Sequence, residues 1–176
     1  GYCLNTSTIK GSLEDKIALA AEAGYNGIEP WVRELDAFVE KGGSLQTVRQ
    51  RCADAGVRIV SLIAFFEWAV DDSERREAGM AEARRVIDTA ATLGCPAVAA
   101  PPSGLIDVTG MSYEVLAERY RTVLEYGADN GVRPILEFWG IAGTLGRLSD
   151  ALAVAIETGR PDASVLIDIF HMYKRA

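Results

Sequence analysis

The sequence predicts an α/β fold, a (β/α)8 barrel of which this chain supplies six strands. Three observations carry that prediction. Short apolar runs alternate with longer amphipathic stretches at a period of roughly 30 residues, the size of a strand–helix unit. The runs are apolar without alternation, as strands covered on both faces of a parallel sheet are. Acidic residues, Glu29, Glu137 and Asp168, stand at the C-terminal ends of three different runs, where a barrel keeps its functional groups. An open dinucleotide-binding sheet would show GxGxxG after its first strand, and none is present.

The elements follow in order. Tyr2-Cys3-Leu4 is the first strand. Ser12 caps a helix with Asp15 placed for a capping box, Leu13, Ile17 and Ala20 inward, and Gly24 at its end. Gly27-Ile28-Glu29 is the second strand. Ser44 opens the next helix, with Leu45, Val48, Cys52 and Ala55 inward, and Arg58 to Leu62 is strand three. A long helix over 73–93 carries Met80, Ala83, Ile87 and Ala90 on one face, and Gly94 stops it before strand four, Ala97 to Ala100. Ser112 caps a helix with Leu116, Tyr120, Val123 and Gly127 inward. Strand five leads from Pro134 to Glu137. Ser149 caps a last helix with Leu152 and Ile156 inward, and strand six runs from Val165 to Asp168. A full barrel has eight strands and ~250 residues, so the expectation is one incomplete barrel domain over residues 1–176, ending without a helix after strand six.

Composition narrows the function. The net charge is −7, with 24% charged and 49% hydrophobic residues. An acidic chain without a basic stripe argues against nucleic acid and against an anionic membrane surface. No run reaches the ~18 apolar residues of a membrane span. Cys3, Cys52 and Cys95 are scattered and odd in number, which predicts reduced thiols and a cytoplasmic protein.

Glu137 and Asp168 close neighbouring strands, and His171, the single histidine, follows Asp168 by three positions. Two carboxylates and an imidazole are ligands for a divalent cation. The two carboxylates are expected about 4–5 Å apart around one ion. Alternatively, Glu137 pairs with an arginine or caps a helix, and His171 is a loop histidine. Glu29 either touches substrate or pairs with a nearby Arg or Lys. Trp31, Phe65, Phe66, Trp68 and Trp139 follow strands two, three and five, where aromatic faces can stack on sugar C–H surfaces. Phe65 and Trp68 are the expected pocket residues among them, with Trp139 a further substrate contact. Asn5, Lys10 and the turn Pro101-Pro102-Ser103-Gly104 read as loop positions at the same mouth.

The stretches Ala23-Gly24-Tyr25-Asn26-Gly27-Ile28-Glu29, Ala55-Gly56-Val57, Leu93-Gly94-Cys95, Gly131 to Glu137 and Asp168-Ile169-Phe170-His171 resemble, in order and spacing, the xylose isomerase-like TIM barrels. The resemblance covers nearly the whole chain. It implies that Glu137 and Asp168 bind a divalent metal (Mn, Mg, Co or Zn), and that His171 contacts substrate oxygens or a second metal. It also implies further ligands on strands seven and eight. By resemblance Glu137 is both ligand and base, and the substrate is a small sugar. The implied activity is isomerisation or epimerisation of a sugar or keto-sugar through a metal-stabilised enediolate. A lyase acting on an inositol-derived ketone, or a non-catalytic sugar-binding protein, would use the same scaffold. Abasic-site endonucleases of this superfamily need several histidines, and this chain has one. A homo-oligomer is the expected assembly.

Overall fold

The computed structural model describes residues 1–175. Among them six short parallel strands alternate with seven α-helices. The strands are β1 (Cys3–Asn5), β2 (Gly27–Glu29), β3 (Arg58–Ile59), β4 (Ala97–Ala100), β5 (Arg133–Glu137) and β6 (Val165–Leu166). They form two parallel sheets, β1-β2-β3 and β4-β5-β6. A bridge between Leu62 and Val98 joins the two, so the six strands run in sequence order as a partial (β/α) barrel.

The helices are α1 (Leu13–Glu22), α2 (Val32–Glu40), α3 (Leu45–Asp54), α4 (Ser73–Leu93), α5 (Tyr113–Asp129), α6 (Leu148–Glu157) and α7 (Ile169–Arg175). Between the helical layer and the sheet lies one core, including Ile28, Leu62, Val98, Leu116, Tyr120 and Leu136. Burial of such side chains contributes about 1.5–3 kcal/mol each. Helix α5 lies directly on the start of β5. A Cβ on Gly127 would come within 2.4 Å of Pro134 and 2.6 Å of the Val132 carbonyl, so only glycine permits that approach.

The caps are local and specific. Ser12 accepts from the Asp15 amide and Asp15 accepts from the Ser12 amide, both at 3.1 Å, closing the expected box. Ser44 and Ser112 cap α3 and α5 as read from sequence. Gly94 ends α4 in the left-handed conformation at φ 69°.

Four expectations are corrected. Helix α2 is additional to the elements read from sequence, because no Ser, Thr, Asp or Asn precedes it; Glu34 instead reaches back to the Trp31 amide at 3.1 Å. Helix α6 starts at Leu148, and its first-turn acid Asp150 accepts from the Arg147 amide at 3.0 Å. Ser149 is therefore not its cap. The helix is rotated so that Ala151, Val154 and Ala155 face inward, leaving Leu152 46% and Ile156 78% exposed. Strands β3 and β6 are two residues each, because beyond Ile59 and Leu166 the chain is held by single bridges or turns into a helix. Last, strand six is followed by a helix after all, α7, which carries His171.

Candidate metal and substrate site

The C-terminal strand ends open onto one cavity of about 320 Å³. Its lining follows the period of two that extended chain imposes. Glu29 and Trp31 come from the β2 end, Ile63 and Phe65 from beyond β3, Glu137, Trp139 and Ile141 from β5, and Leu166 and Asp168 from β6. Register explains why these residues meet. Asn5 is paired with Glu29, and Glu137 with Leu166, so the paired side chains leave the sheet on the same face.

Glu137, Asp168 and His171 form one group whose ligand atoms all lie within 4.8 Å of one another. His171 Nε2 lies 3.9 Å from Glu137 Oε1 and 4.0 Å from Asp168 Oδ2. These distances exceed hydrogen bonds and match the roughly 3–4 Å between two ligands held at ~2.1 Å from a common ion. Asp168 divides its carboxylate. Oδ1 accepts from the amides of Phe170 at 2.7 Å and His171 at 3.3 Å, capping α7, while Oδ2 is turned towards His171. The cap thus fixes the orientation of both Asp168 and His171.

The electrostatics are compatible with a bound cation. Burial pushes the Glu137 carboxyl up to about 7; the Trp139 side chain opposes this, and the charges of Asp168 and Glu29 add to it. Burial also raises Glu29, with Asp168 adding to the effect. Burial holds His171 below its ordinary value, favouring the neutral imidazole that coordinates metals. Among the described residues no Lys or Arg pairs with Glu29, Glu137 or Asp168. The expected Arg or Lys partner of Glu29 is therefore not found; its neighbour is Asn5, whose Nδ2 is 3.5 Å away. His171 Nδ1 is buried without a hydrogen-bond partner. Buried carboxylates lacking a cation are costly, and this donor set of two carboxylates and a neutral imidazole suits a divalent ion.

Aromatic rings make the other wall. Trp31 packs edge-on against Phe65 at 5.0 Å, Phe65 against Trp139 at 5.3 Å, and Trp139 lies 6.1 Å from His171. Phe65 and Trp139 are thus where the sequence places them, and Trp31 joins them. Trp68 is not. It is fully buried, its indole N–H donates to the Pro101 carbonyl at 2.8 Å, and its ring packs on Tyr120. The cause is a turn: Phe65 still faces the cavity with Ile63, whereas the chain turns at Trp68, whose amide donates to the Phe66 carbonyl at 3.0 Å, and the indole enters the core. The alternation of extended chain, counted on from Glu29, points to Trp31.

A buried ion pair stiffens this mouth. Lys16 Nζ bonds Glu34 and the Thr6 carbonyl, and Glu34 also accepts from Thr6 Oγ1 and the Trp31 amide. One network therefore joins α1, the turn after β1 and the start of α2, and it sets the backbone that carries Trp31.

Comparison with known proteins agrees with this geometry. The 3-dehydroshikimate dehydratase of Pseudomonas putida is 25% identical over 166 residues, covering 94% of this chain and 26% of that protein. The chain thus spans about a quarter of the length of the curated relatives it matches. A solved structure of the IOLI protein with a bound zinc atom superposes with a TM-score of 0.87 at 20% identity, over 99% of this chain and 64% of that one. A D-psicose 3-epimerase solved in the presence of D-fructose gives 0.80 at 18% identity, over 98% and 64%. These two likenesses establish the fold. Residues 17–176 match the family model of the xylose isomerase-like TIM barrel. With parallel strands in sequence order and acidic groups gathered at their C-terminal ends, the chain belongs to the xylose isomerase-like TIM barrel family.

Proposed function

We propose that the protein is a divalent-metal-dependent enzyme that isomerises or epimerises a sugar or keto-sugar. The observation that carries this reading is the Glu137–Asp168–His171 cluster, without a Lys or Arg partner among the described residues, on one side of a cavity rimmed by aromatic rings. Glu137 and Asp168 Oδ2 would hold the ion, with His171 Nε2 as a third ligand or a contact to substrate oxygens. A bound divalent cation would polarise the substrate carbonyl and stabilise the negative charge that develops on its oxygen. Glu137 would also take the proton from the carbon beside that carbonyl, as a carboxylate at the mouth of the cavity can. Phe65, Trp139 and Trp31 would stack on the C–H face of the substrate and keep water away. Glu29 would meet a hydroxyl at the opposite wall. A cytoplasmic location and a homo-oligomeric state belong to the same proposal.

A second reading, a dehydratase, is favoured by the relationship to 3-dehydroshikimate dehydratases across 94% of the chain. Both reactions begin by removing a proton next to a carbonyl, so the same residues serve either. Product analysis on a panel of ketoses, inosose and 3-dehydroshikimate separates them. Glu137→Gln is expected to stay folded, to lose at least the roughly 10–100-fold in zinc affinity that loss of even an outer-shell partner costs, and to lose most turnover. Wild-type zinc affinity and turnover in that variant would show Glu137 to be structural.

A further inference from the structure

The loop that leaves β5 carries Trp139 into the cavity, and it is also the seat on which α7 lies. Gly140 makes that seat possible. Its own backbone lies outside the left-handed region and would accept other residues. What excludes a side chain is the helix: a Cβ on Gly140 would collide with the His171 carbonyl oxygen and stand 2.9 Å from the Lys174 Cβ. Neither partner yields easily. The loop is closed on itself, the Ala142 amide donating to the Trp139 carbonyl at 2.7 Å and the Trp139 amide to the Leu145 carbonyl at 3.0 Å. Helix α7 is tethered at its start by Asp168, and in its last turn Arg175 donates to the Ala142 carbonyl at 3.3 Å. His171 therefore leaves α7 at the point where the helix touches the loop. Its Nε2 reaches to 3.9 Å from Glu137, three residues before Gly140 on the same strand and loop.

From this contact we infer that Gly140 is a positioning residue: by letting α7 lie directly on the β5–α6 loop, it sets the distance between His171 and Glu137. The inference rests on the metal reading of Glu137, Asp168 and His171, and goes beyond it to a residue with no side chain to offer. A methyl group at position 140 would push the His171 backbone away by about 1 Å before an ordinary C···O contact of ~3.3 Å is restored. That exceeds the ~0.5 Å within which a binding constellation must be held. Gly143 supplies the internal comparison. A Cβ there would collide with the Val108 carbonyl oxygen and stand 2.9 Å from the Thr109 Cγ2. Those atoms belong to the β4–α5 loop, which carries none of the three candidate ligands. The two glycines of one loop are thus similarly crowded, and only Gly140 is crowded by the helix that carries His171.

The test is a calorimetric titration of zinc alone into the full chain and its variants. Glu137→Gln and His171→Ala are expected to bind zinc more weakly than wild type. Gly140→Ala is expected to lose roughly tenfold or more in zinc affinity, the scale of loss when a ligand's support is removed, and Gly143→Ala to stay within about twofold of wild type. Thermal melts should show both glycine variants destabilised, so that stability alone does not separate them. Added to His171→Ala, Gly140→Ala should change zinc affinity little further, because the ligand it positions is gone. Zinc that fails to bind wild type, or binds Glu137→Gln equally well, overturns the metal reading. With that reading intact, four results overturn the positioning role: wild-type affinity in Gly140→Ala, wild-type affinity in His171→Ala, an equal loss in Gly143→Ala, or an undiminished Gly140→Ala effect on the His171→Ala background. A Gly140→Ala chain that does not fold overturns it too, since the contact would then serve the fold and not the ligand.

Discussion

Glu137 answers to two demands that pull apart. As a metal ligand it must be ionised; as a buried group among like charges it holds its proton up to about 7, against an ordinary 4.5. Between those values the metal-free folded chain keeps a proton that the unfolded chain has released. The stability from this group is therefore fully present below 4.5 and is lost as pH rises through about 7. A tenfold change in proton affinity corresponds to about 1.4 kcal/mol, so the loss amounts to a few kcal/mol. We predict that, without metal, Glu137→Gln gains stability relative to wild type between pH 5 and pH 8, measured by urea unfolding at both values. Saturating zinc should reverse the order at pH 8, because only the carboxylate binds it. A wild-type advantage at pH 8 without metal would show that the burial of Glu137 is relieved by something other than a cation.

At the scale of elements, the local course of the backbone decides what each aromatic does. Trp68→Ala should cost about 3–5 kcal/mol, as large core truncations do, while leaving zinc affinity unchanged. Phe65, half exposed in the cavity, should cost little stability when cut to alanine but should weaken ligand binding. Thermal melts and zinc titrations of the two variants give opposite patterns if this holds. Local signals likewise decide what the sequence makes legible. Capping serines at positions 12, 44 and 112, left-handed glycines and apolar runs locate five of the helices and all six strands, because these signals act within a few residues. Helix α2 escapes because its cap is the backbone of Trp31 bonded to Glu34, and α7 because Asp168 reads as a strand end while serving as the cap. Glu137, Asp168 and His171 are legible because metal ligands carry their chemistry in their identity. Trp68 is misread because an aromatic residue carries no sign of which way it faces, and the turn that starts there carries it into the core.

For the whole molecule, the consequence of the fold is uneven coverage. Among the described residues β1 pairs only with β2, and β6 only with β5. Next to β6, Ile167, Ile169, Phe170 and Tyr173 are all more than half exposed. Unpaired strand edges and apolar surface promote association. If this face is adhesive, Tyr173→Ser with Ile169→Asp should lower concentration-dependent association in sedimentation. A single species of monomer mass across a wide concentration range would argue against that face being adhesive. The seam between the sheets bears on the site in a different way. Two backbone hydrogen bonds, from Leu62 to the Ala97 carbonyl at 3.2 Å and from Ala99 to the Leu62 carbonyl at 3.1 Å, stitch β1–β3 to β4–β6. All three candidate ligands lie on the second side, while Asn5, Glu29, Trp31 and Phe65 lie on the first. The molecule is in effect a jaw, with the candidate ligand cluster in one half and Glu29, Trp31 and Phe65 in the other. Breathing at the stitch would part the two walls while leaving the ligand cluster intact, and the Leu62 and Ala99 amides, exchanging with solvent ahead of those inside either sheet, would time how often the jaw opens.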